Sequence, residues 1–238
     1  MRTLSVGTER LGLRLTAEQV GLFQLYVRDL LEAAPRAGLT SLRTEDEVQR
    51  RHFLESLALG WLLERESVLG PRVIDIGAGG GFPGLPLKIV WPHLHLTLLE
   101  ASTRKTDFLR QLVATLALSG VEVVTGRAED IARRAEHRES YDLALARAVA
   151  PLPVLVELAL PFLKVDGYLA ALKGSRLAEE LRASANALQQ LGGELKQVYQ
   201  LPTPGGVAAP GVVLIHKAAP TPERFPRRIG IPAKRPLR

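Results

Sequence analysis

Val73-Ile74-Asp75-Ile76-Gly77-Ala78-Gly79-Gly80-Gly81-Phe82-Pro83-Gly84 decides the fold of this chain. Residues 72–76 are β-branched and apolar, as a buried parallel strand requires. Three glycines at alternate positions follow, then a Pro-Gly pair and the apolar run 85–91. Glycine permits positive φ and lets backbone approach a ligand closely. A strand feeding such a loop sets a small molecule at the carboxyl edge of an open α/β sheet. Glu100 ends the next apolar run, 96–99, at the spacing where a carboxylate takes the ribose hydroxyls of an adenosine cofactor.

Gly79-x-Gly81-x-x-Gly84 formally matches the dinucleotide fingerprint, yet its phase against the strand is wrong. Asp75 also precedes the first glycine by two residues, where it would repel a pyrophosphate seated on backbone N–H groups. S-adenosylmethionine reverses that argument, having no phosphate but an ammonium and a sulfonium that a carboxylate attracts. The loop therefore favours a methyl donor, with Asp75, Gly77, Gly79 and Phe82 as its candidate contacts. Glu100, Ala101 and Ser102 are the candidates on the next strand end. A nicotinamide-dependent oxidoreductase remains the reading that the formal glycine match supports.

At 238 residues, 46% of them apolar, the chain is one large domain or a domain with an appendage. No apolar run reaches the length of a membrane span, and Met1 opens no signal peptide, so a cytoplasmic protein is expected. The absence of cysteine excludes disulfides, thiolate metal sites and a cysteine nucleophile. Net charge is +6, and residues 221–238 carry five of those charges: Arg224, Arg227, Arg228, Lys234, Arg235 and Arg238 stand against Glu223 alone. Such a tail is an electrostatic handle for a polyanion. Pro226, Pro232 and Pro236, with Phe225 and Ile231, suggest an extended strap anchored on the body. That strap is expected to take the charges of the polyanion; covering the cofactor cleft is the competing outcome.

Thr16 caps an expected helix over 17–33, which Pro35 and Gly38 break, and Thr44 starts a second over 45–65. These make an amino-terminal helical cap (residues 1–70) ahead of a body (71–218) and the strap (219–238). Strands are expected at 95–100, 121–125, 141–146 and 167–172, alternating with helices at 104–119, 129–134, 151–163 and 177–191. Residues 194–200 and 212–216 close an antiparallel hairpin around the Pro/Gly-rich 202–211. The tally is about seven strands, mostly parallel. Strand ends supply the remaining candidates: Ala128 and Glu129 for an adenine, Arg147 where a methyl acceptor would wait, and Lys173.

The Asp/Asn-Pro-Pro-aromatic motif of exocyclic-amine methyltransferases is missing, for the fourth strand ends Ala-Arg-Ala-Val-Ala-Pro. Pyrimidine C5 methylation needs the absent cysteine. The five histidines show no ligand spacing, so no metal is expected. An acceptor needing no base fits best, and guanine N7 holds an unprotonated in-plane lone pair.

The chain resembles the glucose-inhibited division protein B family, the 16S rRNA guanine-N7 methyltransferases. The resemblance rests on Gly38-Leu39-Thr40-Ser41, Arg51-His52-Phe53-Leu54-Glu55-Ser56, residues 74–86, Arg127-Ala128-Glu129, Ala146-Arg147-Ala148, Leu172-Lys173-Gly174 and Pro226-Arg227-Arg228-x-Gly230-x-Pro232. Gly38 and Glu55 stand where the family usually has asparagine and aspartate. The resemblance implies an α/β, Rossmann-like class I S-adenosylmethionine-dependent methyltransferase with a helical cap, methylating one guanosine of the small ribosomal subunit near the decoding centre. It also implies that Arg147 lies near the donor. The expected assignment puts Arg147 and Lys173 beside the acceptor, with Arg147 bridging acceptor and donor, and Lys88, Arg104, Lys105, Arg227, Arg228, Lys234 and Arg235 on RNA phosphates. The protein is expected to act as a monomer on 16S rRNA, the small subunit or its precursor. An RNA-binding assembly factor with a vestigial donor site is the other open reading.

Overall fold

The computed structural model describes residues 1–202 and 211–237. Residues 203–210 of the expected hairpin connection, and Arg238, lie outside them. Seven strands form one sheet in the order β3-β2-β1-β4-β5-β7-β6. They are β1 (Arg72–Ile76), β2 (His95–Glu100), β3 (Val121–Thr125), β4 (Tyr141–Arg147), β5 (Leu163–Lys173), β6 (Gly193–Gln200) and β7 (Gly211–Lys217). The first five pair in parallel, whereas β7 runs antiparallel to both β5 and β6. Chain order reverses between β1 and β4, which opens a crevice at their carboxyl ends.

Strand alternation divides the interior in two. Val73, Leu143 and Leu145 join one apolar cluster, Ile74, Ile76, Ala144 and Ala146 the other. The first cluster lies under α5 (Gly84–Val90), α6 (Thr103–Thr115) and the amino-terminal helices, the second under α8 (Leu152–Ala159) and α9 (Leu177–Leu191). Asp75 alternates onto the first face and is fully buried there.

The amino-terminal helices follow their caps. Thr16 and Gln19 form a capping box at α2 (Ala17–Ala37), as do Thr44 and Glu47 at α3 (Glu45–Val48). Pro35 does not break α2, contrary to expectation; it sits in the last turn, and Gly38 ends the helix in the left-handed region at φ 63°. A helix not expected from the sequence, α1 (Arg2–Arg10), precedes it. The expected helix 45–65 is continuous but contains a π-helical segment, Gln49–Leu54, before α4 (Glu55–Arg65). Further boundaries moved, among them the end of α6, at Thr115 and not 119. The helix expected at 151–163 stops at Ala159 because Pro161 has no N–H to continue it, and β5 starts at Leu163, earlier than 167. Of the helix expected at 129–134 only α7 (Ala128–Ile131) forms.

The carboxyl-terminal strap packs on the body rather than hanging free. Arg227 forms a two-pronged ion pair with fully buried Glu157, at 2.6 Å from Nη2 to Oε2 and 2.9 Å from Nε to Oε1. Arg138 donates to the carbonyls of Thr221 (2.8 Å) and Phe225 (2.9 Å), and Arg133 to that of Pro226. Phe225 is buried, and the strap ends in a short helix, α10 (Ile231–Lys234), so it is not extended throughout.

Gly60, in the middle of α4, lets that helix meet the Trp91 ring: a Cβ there would lie 2.4 Å from the ring. Helix propensity alone says Gly60→Ala stabilises by about 1 kcal/mol. A buried ring cannot yield as a flexible tail would, and overpacking costs about 1–3 kcal/mol. Net destabilisation and a lower urea midpoint are therefore expected, and a raised midpoint would show that the α4–α5 contact is slack.

Candidate active site

A cavity of about 470 Å³ opens at the carboxyl ends of β1, β2 and β3. Ile76 and Gly77 line it from β1, Glu100 and Ala101 from β2, and Ala128 and Glu129 from α7. Gly77, Gly79 and Gly81 have φ of 70°, 56° and 98°, so the loop takes a path closed to most side chains. It is tied to the next strand, since Gly77 and Ala78 both donate to the Leu99 carbonyl, at 2.8 and 3.1 Å. Glu100 accepts the N–H of Gly79 at 3.1 Å on one oxygen and that of Ser102 at 2.9 Å on the other. A carboxylate has about four acceptor positions, so this one keeps capacity for two hydroxyl donors. The donor set fits an adenosine ribose.

Asp75 lies beneath the loop and does not line the cavity. Its Oδ2 accepts the N–H of Gly84, the first residue of α5, at 2.8 Å, while its Oδ1 has no hydrogen-bond partner. The expected direct contact with a donor thus becomes support from below. The same bond disposes of the nicotinamide reading, because the helix N-terminus that would receive a pyrophosphate already holds a carboxylate.

Phe82 is buried and serves as a platform rather than as an open cofactor contact. Tyr26 stacks on it at 5.2 Å and His52 at 4.4 Å, and the Arg147 guanidinium lies 5.1 Å from its centroid. The Tyr26 hydroxyl donates to the Gly80 carbonyl at 2.7 Å, pinning the loop to the cap. Arg147 donates to the Arg51 carbonyl (3.1 Å) and to His52 Nδ1 (2.9 Å), with Glu55 at 3.7 Å. A guanidinium only donates, so the shorter contact makes His52 Nδ1 an acceptor and leaves Nε2–H to donate to Thr40 at 2.8 Å; the 3.1 Å approach of Nδ1 to the Arg51 carbonyl is then a contact between two acceptors that Arg147 bridges. The π-helical segment carries Arg51 and His52 into this cluster. Tyr26, Thr40, His52 and Glu55 were not singled out as site residues; for three of them the signal lay in the two amino-terminal stretches that carry the resemblance.

A second cavity, of about 390 Å³, is lined by Glu55, Arg147 and Lys173, and shares Ala148, Val149 and Ala150 with the first. Lys173 forms its wall with a committed ammonium, donating to the Ala150 carbonyl at 2.5 Å and pairing with Glu180 at 2.7 Å. Several expected roles need correction. Lys88 cannot hold RNA: it is buried and donates to the carbonyls of Pro92 (2.6 Å) and Leu94 (2.5 Å). Arg227 is spent on Glu157, and the Glu129 carboxylate accepts the Gly230 N–H at 3.0 Å instead of facing an adenine freely. Lys105 stands at the wall of the first cavity. Arg104 is exposed, though it donates to the Arg36 carbonyl, and Arg228, Lys234 and Arg235 are exposed as well. Ser102 meets Glu100 only through its backbone N–H and is the residue before α6.

Two buried groups titrate in opposition. Burial, helped by the Arg147 charge, drives His52 from 6.5 down to about 3. Burial pushes Asp75 from 3.8 up to about 7, against the pull of the Gly84 N–H and Arg147. Between about pH 3 and 6.5 the unfolded chain binds the His52 proton and the native one does not, so this group removes stability as pH falls. Between about pH 4 and 7 the native chain binds the Asp75 proton and the unfolded one does not, so this group removes stability as pH rises. Relative to the parent, Asp75→Asn is expected to lose stability more steeply on acidification from about pH 6.5 to 4.5, and His52→Gln less steeply. Urea titrations at several pH values check this; three parallel profiles would contradict it.

Comparison with known proteins gives these cavities a context. Residues 19–204 match the model of the GidB family, rRNA small subunit methyltransferase G. A Moorella thermoacetica protein named ribosomal RNA small subunit methyltransferase G is 43% identical over 236 residues, 99% of this chain and 98% of its own. One of the same name from Roseiflexus castenholzii is 46% identical over 228 residues, 95% of each chain. Among solved structures, a Bacillus cereus O-methyltransferase in complex with SAH aligns with TM-score 0.57 at 17% identity, covering 81% of this chain and 90% of that one. A putative O-methyltransferase from Klebsiella pneumoniae aligns with TM-score 0.57 at 16% identity, covering 82% and 90%. These structures share the α/β, Rossmann-like fold of the class. With its glycine loop, its adjoining cavities and relatives above 40% identity over nearly its whole length, the chain belongs to the GidB family of ribosomal RNA small subunit methyltransferases.

Proposed function

We propose that this protein transfers a methyl group from S-adenosylmethionine to N7 of a guanosine in 16S rRNA, in the cytoplasm, on the small ribosomal subunit or its precursor. The observation that carries this reading is the pair of cavities meeting at Ala148–Ala150. One presents ribose-binding chemistry, and the other lies beside it at the switch point of the sheet.

S-adenosylmethionine supplies an electrophilic methyl on a sulfonium. Everything else in the reaction falls to positioning. Glu100 takes the ribose hydroxyls on its free lone pairs, and Gly77 and Gly79 offer bare backbone at the loop. Asp75 holds the loop from beneath by capping the Gly84 N–H. Guanine N7 carries its own in-plane lone pair, so no side chain has to remove a proton from the attacking atom. Arg147 forms the wall of the acceptor cavity and is rigid, held by Arg51, His52 and the Phe82 face. A fixed guanidinium there suits the guanine O6 edge. Lys173 supports the same wall from its pair with Glu180 and acts through position rather than as a free cation.

Transfer of labelled methyl to 16S rRNA in a single turnover, followed by nucleoside analysis, tests the reading. Label in 7-methylguanosine is the expected result, and label elsewhere or nowhere would overturn it. Arg147→Ala is expected to slow transfer about 100-fold, the order of loss that misplacement brings, with donor affinity within threefold of the parent. Comparable losses in donor affinity would move Arg147 to the donor side. Combined alanine substitution of the exposed Arg228, Lys234 and Arg235 is expected to flatten the slope of log K against log salt for rRNA by about 2. An unchanged slope would free these residues from phosphate contact.

A further inference from the structure

Ile229 is half exposed, at 50%, among the most exposed large apolar side chains of the described residues. Val6, Val165 and Leu195, the other exposed large apolar side chains among the described residues, do not line the first cavity, whereas Ile229 lines it together with Gly230 and Ala233. The strap is fixed at this place by two anchors. Arg227, two residues before Ile229, is locked on buried Glu157, and Gly230, one residue after, donates its N–H to buried Glu129. Gly230 has φ 77°, a left-handed turn that starts α10 and brings Ala233 to the same wall. A side chain held from both sides yet left bare over a cleft is poised for an apolar occupant.

Strand order says which part of the ligand lies there. The reacting end belongs near Ala148–Ala150, beyond β4, where the two cavities meet. Glu100, at the end of β2, holds the ribose. The base then extends further in the same direction, toward the end of β3 and α7, since β3 lies beyond β2 in the sheet. Glu129, which the strap grips, belongs to α7.

We infer that the strap is the outer wall of the donor site: Ile229, with Ala233, covers one face of the adenine ring, and Glu129 is the positioning residue that holds the strap there. This deepens the proposed function and rests on its donor assignment. It also divides the strap by face, with apolar residues toward the donor and the exposed cations Arg228, Lys234 and Arg235 outward.

Truncation would leave Glu157 buried without its partner, so point variants make the better test. In calorimetry on the full chain, Ile229→Ala is expected to weaken S-adenosylmethionine and S-adenosylhomocysteine by the same factor of about ten, the loss that uncovering one large aliphatic side chain brings. Glu129→Ala is expected to weaken both as well, and Glu129→Gln, which keeps an acceptor for the Gly230 N–H, to retain most of the affinity. Because the chain has no cysteine, Ile229→Cys introduces a single thiol. Its alkylation by iodoacetamide is expected to slow at saturating S-adenosylhomocysteine, while that of the distant control Val165→Cys is not. Parental affinity in Ile229→Ala together with unprotected alkylation at position 229 would overturn the inference. Absence of binding heat in the parent chain would instead overturn the donor assignment, so the two failures are distinguishable.

Discussion

Phe82 is where the loop, the amino-terminal helices and the fourth strand meet, and the arrangement of the site follows from its packing. Its ring has Tyr26 stacked upon it, His52 at 4.4 Å and the Arg147 guanidinium at 5.1 Å. Each partner belongs to a different element: Tyr26 to α2, His52 to the π-helical turn, Arg147 to the end of β4. A cation over an aromatic face contributes roughly 0.5–2 kcal/mol when desolvated, and each stacked pair roughly 0.5–1.5 kcal/mol. The geometric consequence matters more than the sum. With Phe82 fixed, the glycine loop cannot rise without disturbing Arg147, and Arg147 cannot turn without losing His52.

This coupling explains the protonation states. A neutral histidine is required, because His52 Nδ1 accepts from a guanidinium, and burial beside that positive charge keeps it neutral. Asp75 has the opposite difficulty, a carboxylate buried at the base of the loop with one oxygen unsatisfied. Such a group is costly by itself. It is retained where its second oxygen caps α5 and so fixes the start of the helix that follows the loop. Unmet polarity and displaced protonation gathered at one sheet edge are what a functional site looks like physically.

The strap extends the same logic to the carboxyl terminus. Its five net charges suggested an RNA handle, and part of that charge is internal instead. Arg227 neutralises Glu157, whose burial without a partner would be strongly unfavourable. Among the described residues, Arg224, Arg228, Lys234 and Arg235 remain outside. A basic segment can thus be structural on one face and electrostatic on the other, a distinction that a count of charges does not contain.

The sequence by itself determined the parallel α/β sheet, the glycine loop and the carboxylate of Glu100, because each depends on local chemistry: β-branched runs make buried strands, and glycine alone reaches the loop's positive φ. Thr16 and Thr44 marked helix starts for the same reason, since a cap is satisfied within one turn. Family motifs added the activity through residues scattered along the chain. Tertiary structure decided what each polar group is free to do. Lys88 and Arg227 read as surface cations and are instead spent on internal partners, because those partners lie four to seventy positions away. His52 and Glu55 read as helix residues and join Arg147, because a π-helical turn and a strand end converge from positions more than ninety apart. Charge and pattern are written locally; whether a charge is already satisfied depends on which distant groups the fold brings to it.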